Sequence, residues 1–359
     1  MSEKTVHTVR FEPVGVEMEV EEGEWLLDAA FRQGIAVPHG CREGQCSSCK
    51  CLLIEGDVEV ENYSTFALAD YERETGHILL CRGYAFSDLT IELLNFDEDL
   101  MRRAIAVKTF DGVLSAVTTL THDTRLLEVQ LERPMKFWAG QFVEIGVPVA
   151  GADGHSVVAR SYSMASTQST PKTLQFIIRK YPDGAFSSLI DTTLLPGTAV
   201  TLKGPFGMCF RREGRPGPMI LVGGGSGMSP LWAILQDHIE SGEARPIRFF
   251  YGARTRKDLF FLDEFAAVAA KLSDFEFIPV LSQSTAADAW SGETGFVHEA
   301  VERILRQQAL PGELDAYTCG PPPMIDAVLP VLQRLGIALD HTYVDKFTPA
   351  SASTPNLVH

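Results

Sequence analysis

Cys41-Arg42-Glu43-Gly44-Gln45-Cys46-Ser47-Ser48-Cys49, answered further on by a lone Cys81, sets four cysteines in the order C-x4-C-x2-C and then a single C. This is the ligand spacing of a plant-type 2Fe-2S centre. Two irons bridged by sulfides need four thiolates. The run around Gly44 can bend tightly enough for three to converge, and the fourth is expected from a separate strand. Gly40, Gly44, Ser47 and Ser48 are small, so backbone and hydroxyl hydrogens can approach the sulfurs. A structural zinc site or free core thiols are the plain alternatives. Zinc sites usually pair two short C-x2-C hooks, whereas here a three-cysteine loop faces one cysteine. Cys51 falls where a strand leaves the loop and reads as a bystander.

Outward from the loop, His7-Thr8-Val9-Arg10-Phe11 and Val16-Glu17-Met18-Glu19-Val20 alternate with a period of two, as a hairpin does. Residues 24–33 place Leu27, Ala30 and Phe31 on one helical face, with Gly34 as terminator. Strands are expected at 51–54 and 90–94. One helix across a small sheet gives a β-grasp outline for residues 1–100, ending in an acidic linker at 95–100. Residues 101–213 read as short strands with polar turns, including 126–131, 141–145 and 174–178, the pattern of an antiparallel β-barrel. Past an Arg/Gly/Pro-rich linker at 212–218 the rhythm becomes strand, glycine loop, helix, strand. Strands are expected at 219–222, 247–251, 277–281 and 316–318, and helices at 230–241, 262–272, 297–308 and 324–335. That alternation predicts a doubly wound α/β domain over 214–359.

Of the net charge of -16, residues 1–100 carry 21 Asp and Glu against 7 Lys and Arg, while the rest of the chain carries 26 against 24. The acidity is therefore a property of the cysteine-bearing third, where it can steer a basic protein partner and is the wrong sign for nucleic acid. Seven cysteines, four of them in one loop pattern, do not make an extracellular disulfide framework. Neither a leader peptide nor a membrane-length apolar run is read, so a cytoplasmic protein is expected.

Gly223-Gly224-Gly225-Ser226-Gly227-Met228-Ser229-Pro230 lies between an apolar strand and a helix, where a pyrophosphate can meet backbone amides. It departs from G-x-G-x-x-G, since Pro230 takes the third glycine's place, and a plain tight turn is the competing reading. Arg160-Ser161-Tyr162-Ser163 lies between Gly140-Gln141-Phe142 and Gly184-Ala185-Phe186-Ser187, and Gly204-Pro205-Phe206-Gly207 follows. In that order Arg160 offers a cation to a pyrophosphate, Tyr162 a ring and hydroxyl to a flavin, and Ser163 a hydrogen bond near the flavin edge. Gly184 and Ser187 would add a phosphate seat if they open a helix.

Over residues 5–348 the chain resembles the three-domain branch of the ferredoxin-NADP reductase superfamily, with the plant-type ferredoxin domain placed first. The resemblance implies a 2Fe-2S cluster on Cys41, Cys46, Cys49 and Cys81. It implies FAD at Gln141, Arg160, Ser161, Tyr162, Ser163, Gly184, Phe186 and Ser187. It further implies a nicotinamide nucleotide at Gly223, Gly224, Gly225, Gly227, Met228, Pro230, Arg254, Cys319, Gly320, Pro321 and Met324. Cys319 opens Cys319-Gly320-Pro321-Pro322-Pro323-Met324 and would lie near the nicotinamide, unless it is a buried strand-end cysteine. Cys49-Lys50-Cys51, Tyr251-Gly252-Ala253-Arg254 and Tyr343-Val344-Asp345-Lys346-Phe347 are similar to reductase components of bacterial multicomponent di-iron monooxygenases of the propane, phenol, toluene or methane type. Phe347 then resembles the aromatic that covers the flavin, or else anchors the chain end. Ser47 departs from the glycine common in such relatives.

The resemblance implies an electron path from NADH through FAD and the cluster to a di-iron hydroxylase, with Ser163, Cys319 and Phe347 in the hydride-transfer region and no general base. A Rieske-type ring-hydroxylating dioxygenase as acceptor, or a non-catalytic redox sensor, are the competing readings. A sodium-pumping quinone reductase subunit shares the motifs but needs an N-terminal span. On nucleotide choice two signals disagree. Arg254 and Arg256 after the second strand favour a 2′-phosphate, while similar reductases carry the same turn and use NADH, and Asp258 is close enough to occupy either arginine. NADH is the expected substrate.

Overall fold

The computed structural model describes residues 5–94, 96, 105–149, 156–181, 184–285, 289–308 and 310–347. The chain divides into two compact units, Met1–Lys108 and Thr109–His359, taken here one at a time. Apart from Phe96, the linker expected at 95–100 lies outside the described residues.

In the first unit β1 (Val6–Glu12) and β2 (Val16–Glu21) form the expected antiparallel hairpin. Its alternation sends Val9, Phe11, Met18 and Val20 inward. Helix α1 (Leu26–Arg32) buries Leu26, Leu27, Ala29, Ala30 and Phe31. It stops at Gly34, whose φ is 73°, through bonds from Gly34 N to Phe31 O and from Ile35 N to Ala30 O. These are the two bonds of a Schellman turn, which only a residue at ease with positive φ completes cheaply. The chain continues through β3 (Lys50–Glu55), β4 (Val58–Val60), the short α2 (Asp70–Glu74), β5 (His77–Leu79), β6 (Gly83–Ala85) and β7 (Leu89–Leu93). The five-stranded sheet runs β2-β1-β7-β3-β5, with β1 and β7 parallel and β3 antiparallel to β7. This is the β-grasp arrangement. Cys81 departs from the expectation of a strand, because it sits in a single 3₁₀ turn, Leu80–Arg82, between β5 and β6.

The second unit's first strands are β8 (Lys108–Thr119), which starts on the last residue of the first unit, β9 (Thr124–Leu131), β10 (Phe142–Val149), β11 (Ser156–Ser163), β12 (Thr173–Arg179) and β13 (Ala199–Phe206). They form an antiparallel sheet in the order β11-β10-β13-β8-β9-β12. A bridge from Met164 to Phe176 brings its two edges together as a barrel. Leu114, Val143, Met164, Leu174, Phe176 and Leu202 fill the inside. Burial of side chains this size stabilises by roughly 1.5–3 kcal/mol each.

The same unit then builds β14 (Met219–Gly224), α3 (Met228–Ser241), β15 (Ile247–Ala253), α4 (Leu262–Lys271), β16 (Phe275–Leu281), β17 (Glu293–Thr294), α5 (Val297–Gln308), β18 (Asp315–Gly320), α6 (Pro322–Arg334) and β19 (Thr342–Lys346). All neighbours in the order β17-β16-β15-β14-β18-β19 are parallel. β14 is buried at every position, as a central strand covered on both faces must be. Leu231, Ile234 and Phe265 from α3 and α4 pack on one face. Val297, Val301, Val328 and Leu332 from α5 and α6 pack on the other. The winding reverses between β14 and β18, so a crevice opens at their carboxyl ends. Barrel residues Ala165, Ile177 and Cys209 belong to the same apolar cluster as β14 and α3.

Candidate functional site

In the first unit the four thiols form two pairs. Cys49 and Cys81 are buried with their Sγ atoms 3.4 Å apart. Cys41 and Cys46 are half-buried and face each other. The loop turns its backbone donors onto sulfur: Glu43 N and Gln45 N lie 3.4 and 3.3 Å from Cys41 Sγ, and Cys41 N lies 3.4 Å from Cys46 Sγ. Such donors stabilise charge on sulfur. Gly44 has φ 67°, and a Cβ there would stand 2.9 Å from Asn62 O and 3.0 Å from Tyr63 Cα, so the bend requires glycine. A Cβ at Gly40 would meet Ser48 Oγ at 2.8 Å and Cys46 Sγ at 3.1 Å. Ser47 is exposed, and its carbonyl accepts from Lys50 N at 3.0 Å. Cys51 is buried in β3, its thiol 3.6 Å from Cys49 O, and burial pushes that thiol up to about 12. Among the described residues no three thiols gather within 4.8 Å of one another. A single tetrahedral zinc would hold them on edges of about 3.8 Å, so the wider pair-and-pair arrangement fits a two-iron guest better.

In the barrel, β11 carries the Arg160-Ser161-Tyr162-Ser163 string, and its period of two puts Arg160 and Tyr162 on one face, Ser161 and Ser163 on the other. Tyr162 leans on Phe186, ring centroids 4.8 Å apart, and burial pushes its hydroxyl pKa up. The loop beneath it is held by Ser187, whose Oγ accepts from Tyr181 N at 3.0 Å and donates to Tyr181 O at 3.1 Å. A Cβ on Gly184 would fall 2.3 Å from that oxygen. Gly184 and Ser187 do not open a helix: the chain makes one 3₁₀ turn, Ser187–Leu189, so no helix terminus points from there. Gln141 is buried with both amide ends occupied, accepting from Trp138 N and donating to Gly207 O, so it braces the barrel floor.

The glycine loop follows β14 as a 3₁₀ turn, Gly225–Gly227, leading straight into α3. An added Cβ at Gly227 would lie 2.1 Å from Cys319 O, a backbone contact that requires glycine, while at Gly223 and Gly224 it would meet Leu231 Cδ1 and Met324 Sδ, both at 2.7 Å, side-chain ends that can shift. Met228 and Pro230 lie buried under the loop and support it from the core. The crevice above is a cavity of ≈ 290 Å³ lined by Gly224, Gly225, Arg254, Phe296, Pro321, Met324 and Phe347, and by Thr124, Arg179 and Tyr181 of the barrel. Phe347 is fixed there by its own N–H to Gly320 O at 2.9 Å. Cys319 is fully buried with its Sγ 3.5 Å from Cys209 Sγ; it does not line the cavity, and burial pushes its thiol pKa well up.

Ser163 joins the two halves. Its Oγ donates to Asp345 Oδ2 at 3.2 Å, and its carbonyl accepts from Ser229 Oγ in the first turn of α3 at 2.7 Å. Arg254 donates to Asp258 Oδ1 at 2.6 Å, the pairing anticipated from sequence, and also reaches Asp123 Oδ2 at 3.4 Å. Asp123, Arg179, Tyr181, Phe296 and Asp345 are site residues that sequence reasoning did not single out. Only Asp345 had a local signal, in the string ending at Phe347.

The family model described as 2Fe-2S iron-sulfur cluster binding domain matches residues 9–85, that of the oxidoreductase FAD-binding domain 111–210, and that of the oxidoreductase NAD-binding domain 221–329. The reductase component of propane 2-monooxygenase from Rhodococcus jostii (strain RHA1) is 43% identical over 347 residues, 95% of this chain and 91% of that protein. The phenol 2-monooxygenase reductase component DmpP of Pseudomonas sp. (strain CF600) is 36% identical over 346 residues, 96% of this chain and 95% of that one. Among solved structures, the Amycolatopsis cytochrome P450 reductase GcoB superposes with a TM-score of 0.83 at 29% identity, covering 96% of this chain and 100% of that one. Among the described residues no helix is long and apolar enough to cross a membrane.

Proposed function

The chain belongs to the reductase components of bacterial multicomponent monooxygenases, and from that premise we propose that it draws electrons from NADH and delivers them, through FAD and a 2Fe-2S cluster, to a di-iron hydroxylase in the cytoplasm. The observation that carries the reading is the ≈ 290 Å³ crevice, whose wall is shared by the glycine loop and by barrel residues Thr124, Arg179 and Tyr181. A nucleotide bound there lies against the barrel.

Three functional segments follow: 1–100 for the cluster, 101–213 for FAD and 214–359 for NADH. Cys41, Cys46, Cys49 and Cys81 hold the irons. Arg160, Ser161, Tyr162 and Ser163, with Gly184, Phe186 and Ser187, hold FAD, and Gln141 acts through the barrel floor it braces. Bound FAD supplies the exchange between a hydride and single electrons. The protein's part is alignment. Ser163 is held between Asp345 and Ser229, Phe347 closes the crevice beside Gly320, and the glycine loop presents amides at the start of α3. Cys319 contributes from beneath, by supporting Gly227.

The partner docks on the cluster-bearing segment, where 21 acidic side chains stand against 7 basic ones in residues 1–100. Phe66 and Tyr71 stand 74% and 69% exposed there, giving a basic partner an apolar contact inside an attractive field. The test mixes NADH-reduced, cofactor-complete protein with a purified di-iron hydroxylase across a salt series. Cluster reoxidation is expected to be fast at low salt and to slow steeply as salt rises. Zinc in place of iron, absence of flavin, or reoxidation only by a Rieske oxygenase would overturn the reading. A flat salt profile would remove the acidic surface from docking.

A further inference from the structure

The second parallel strand of a doubly wound sheet ends where a dinucleotide's adenosine ribose is read. Here β15 runs out into Arg254, a residue type suited to a 2′-phosphate. The side chains around Arg254 place it differently. Its Nη2 donates to Asp258 Oδ1 at 2.6 Å and reaches Asp123 Oδ2 at 3.4 Å. Asp123 belongs to the turn between barrel strands β8 and β9, and the same carboxylate oxygen accepts from Arg179 Nε at 2.8 Å. One carboxylate from the barrel therefore engages both guanidinium groups that line the crevice.

Asp123 is itself held in place. The hydroxyls of Thr121 and Thr124 each donate to its Oδ1 at 3.1 Å, and His122 Nε2 lies 3.7 Å from Oδ2. Burial acts to raise the Asp123 carboxyl, but the charge and hydrogen bond of Arg179 together with the Thr121 and Thr124 hydroxyls outweigh it and keep the carboxyl below the ordinary carboxylate range. Asp258 is locked by Thr255, whose N–H and hydroxyl both donate to Oδ2 at 2.9 Å. Two arginines against two aspartates make a neutral cluster, so a dianionic phosphate gains from either arginine only by displacing a carboxylate that has already claimed it.

We infer that Asp123, a residue of the flavin barrel, is a specificity-determining residue for the nicotinamide nucleotide: it occupies Arg179 and Arg254 and so denies them to the 2′-phosphate of NADPH. The inference rests on the crevice being the NADH site. Removing the charge of Asp123 would leave the cluster with a net positive charge and two arginines able to turn to a phosphate.

The test compares kcat/KM for NADH and NADPH in the cofactor-complete protein and in D123N, D123E and D123N/R179Q, with inhibition by 2′,5′-ADP and 5′-AMP read in parallel. D123N is expected to raise the NADPH-to-NADH ratio about tenfold, equivalent to about 1.4 kcal/mol. The preference for 2′,5′-ADP over 5′-AMP should rise by a similar factor. D123E should restore the native ratio, and R179Q should cancel most of the gain. Flavin content confirms that each variant is folded, and Thr124→Val, which loosens Asp123 while keeping its charge, gives a smaller shift of the same sign should D123N lose flavin. An unchanged ratio in D123N, or equal losses for both nucleotides and both inhibitors, would reduce Asp123 to a brace between barrel and sheet and overturn the proposal. A native protein that neither nucleotide reduces would instead overturn the underlying reading of the crevice.

Discussion

The cysteine loop at 41–49 and the glycine loop at 223–227 are both tight bends that we assign to negatively charged guests, but they are built in opposite ways. In the cysteine loop side chains make the site: three thiols of the loop and that of Cys81 from a separate turn are the proposed ligands, and the amides of Cys41, Glu43 and Gln45 approach sulfur to 3.3–3.4 Å as adjustments around them. In the glycine loop the absence of side chains makes the site, because the Cys319 carbonyl comes within 2.1 Å of where a Cβ at Gly227 would be, and Leu231 and Met324 come within 2.7 Å at Gly223 and Gly224. The first loop should therefore fail residue by residue, according to which ligand is lost. The second should fail as a packing unit.

The sharpest break of that contrast is Cys46→Ala. With one of four ligands gone the cluster should be lost entirely, while NADH continues to bleach the flavin at close to the native rate, because the nucleotide crevice lies in the other compact unit. Iron analysis with stopped-flow absorbance reads both. Loss of flavin reduction in a variant that remains folded would show that the two sites depend on each other. Next is Gly227→Ala. A Cβ set 2.1 Å from a backbone oxygen has no flexible neighbour to push aside, so the loop or β18 must move. Flavin reduction by NADH is expected to fall at least about a hundredfold, the loss that misplacing reactants by about 1 Å brings, with a lower melting temperature and an intact cluster. A native reduction rate would show that the packing under the loop gives way easily. The smallest effect is expected from Ser48→Ala. The Cys46 thiol donates to this hydroxyl at 3.4 Å; a thiolate can only accept, so with a cluster bound the hydroxyl would donate to sulfur, and its loss should lower the cluster's reduction potential slightly without loss of iron. A potentiometric titration showing no shift, or an upward one, would mean that the hydroxyl does not donate to the cluster.

The same contrast explains what was legible in the sequence. Candidate ligands that are side chains at fixed spacing announce themselves, and Cys41, Cys46, Cys49 and Cys81 could be read as such before any strand was placed. The glycine run and the periodicities around it fixed the doubly wound half, because a central strand such as β14 has to be apolar throughout. Features made by tertiary approach were not legible. Asp123 lies in a turn far along the chain from Arg254, and nothing in His122-Asp123-Thr124 says that the turn faces the nucleotide crevice. Cys319 could be read from its string either as a neighbour of the nicotinamide or as a buried strand-end cysteine, and what the string could not show is that its thiol lies against that of Cys209, on the face that the pleat assigns it. The single turns at Leu80–Arg82 and Ser187–Leu189 are too short to leave a periodic trace, which is why one was expected as a strand and the other was left open as a possible helix start.

The bonds that tie the barrel to the α/β sheet have a consequence for how this protein can be divided. Arg211 is only 8% exposed and donates to Asp237 and Glu243, Thr167 and Ser169 both donate to Glu240, and Arg212 N donates to the Tyr317 hydroxyl. A fragment ending near residue 213 would keep the arginine and lose both carboxylates, exposing Ala165, Ile177 and Cys209 to water as well. Recombination that cuts there yields two sticky, half-paired pieces, whereas the barrel and sheet inherited together bring their own seam. For chimeric redox chains the practical building block is the barrel and the α/β sheet taken together, never either alone.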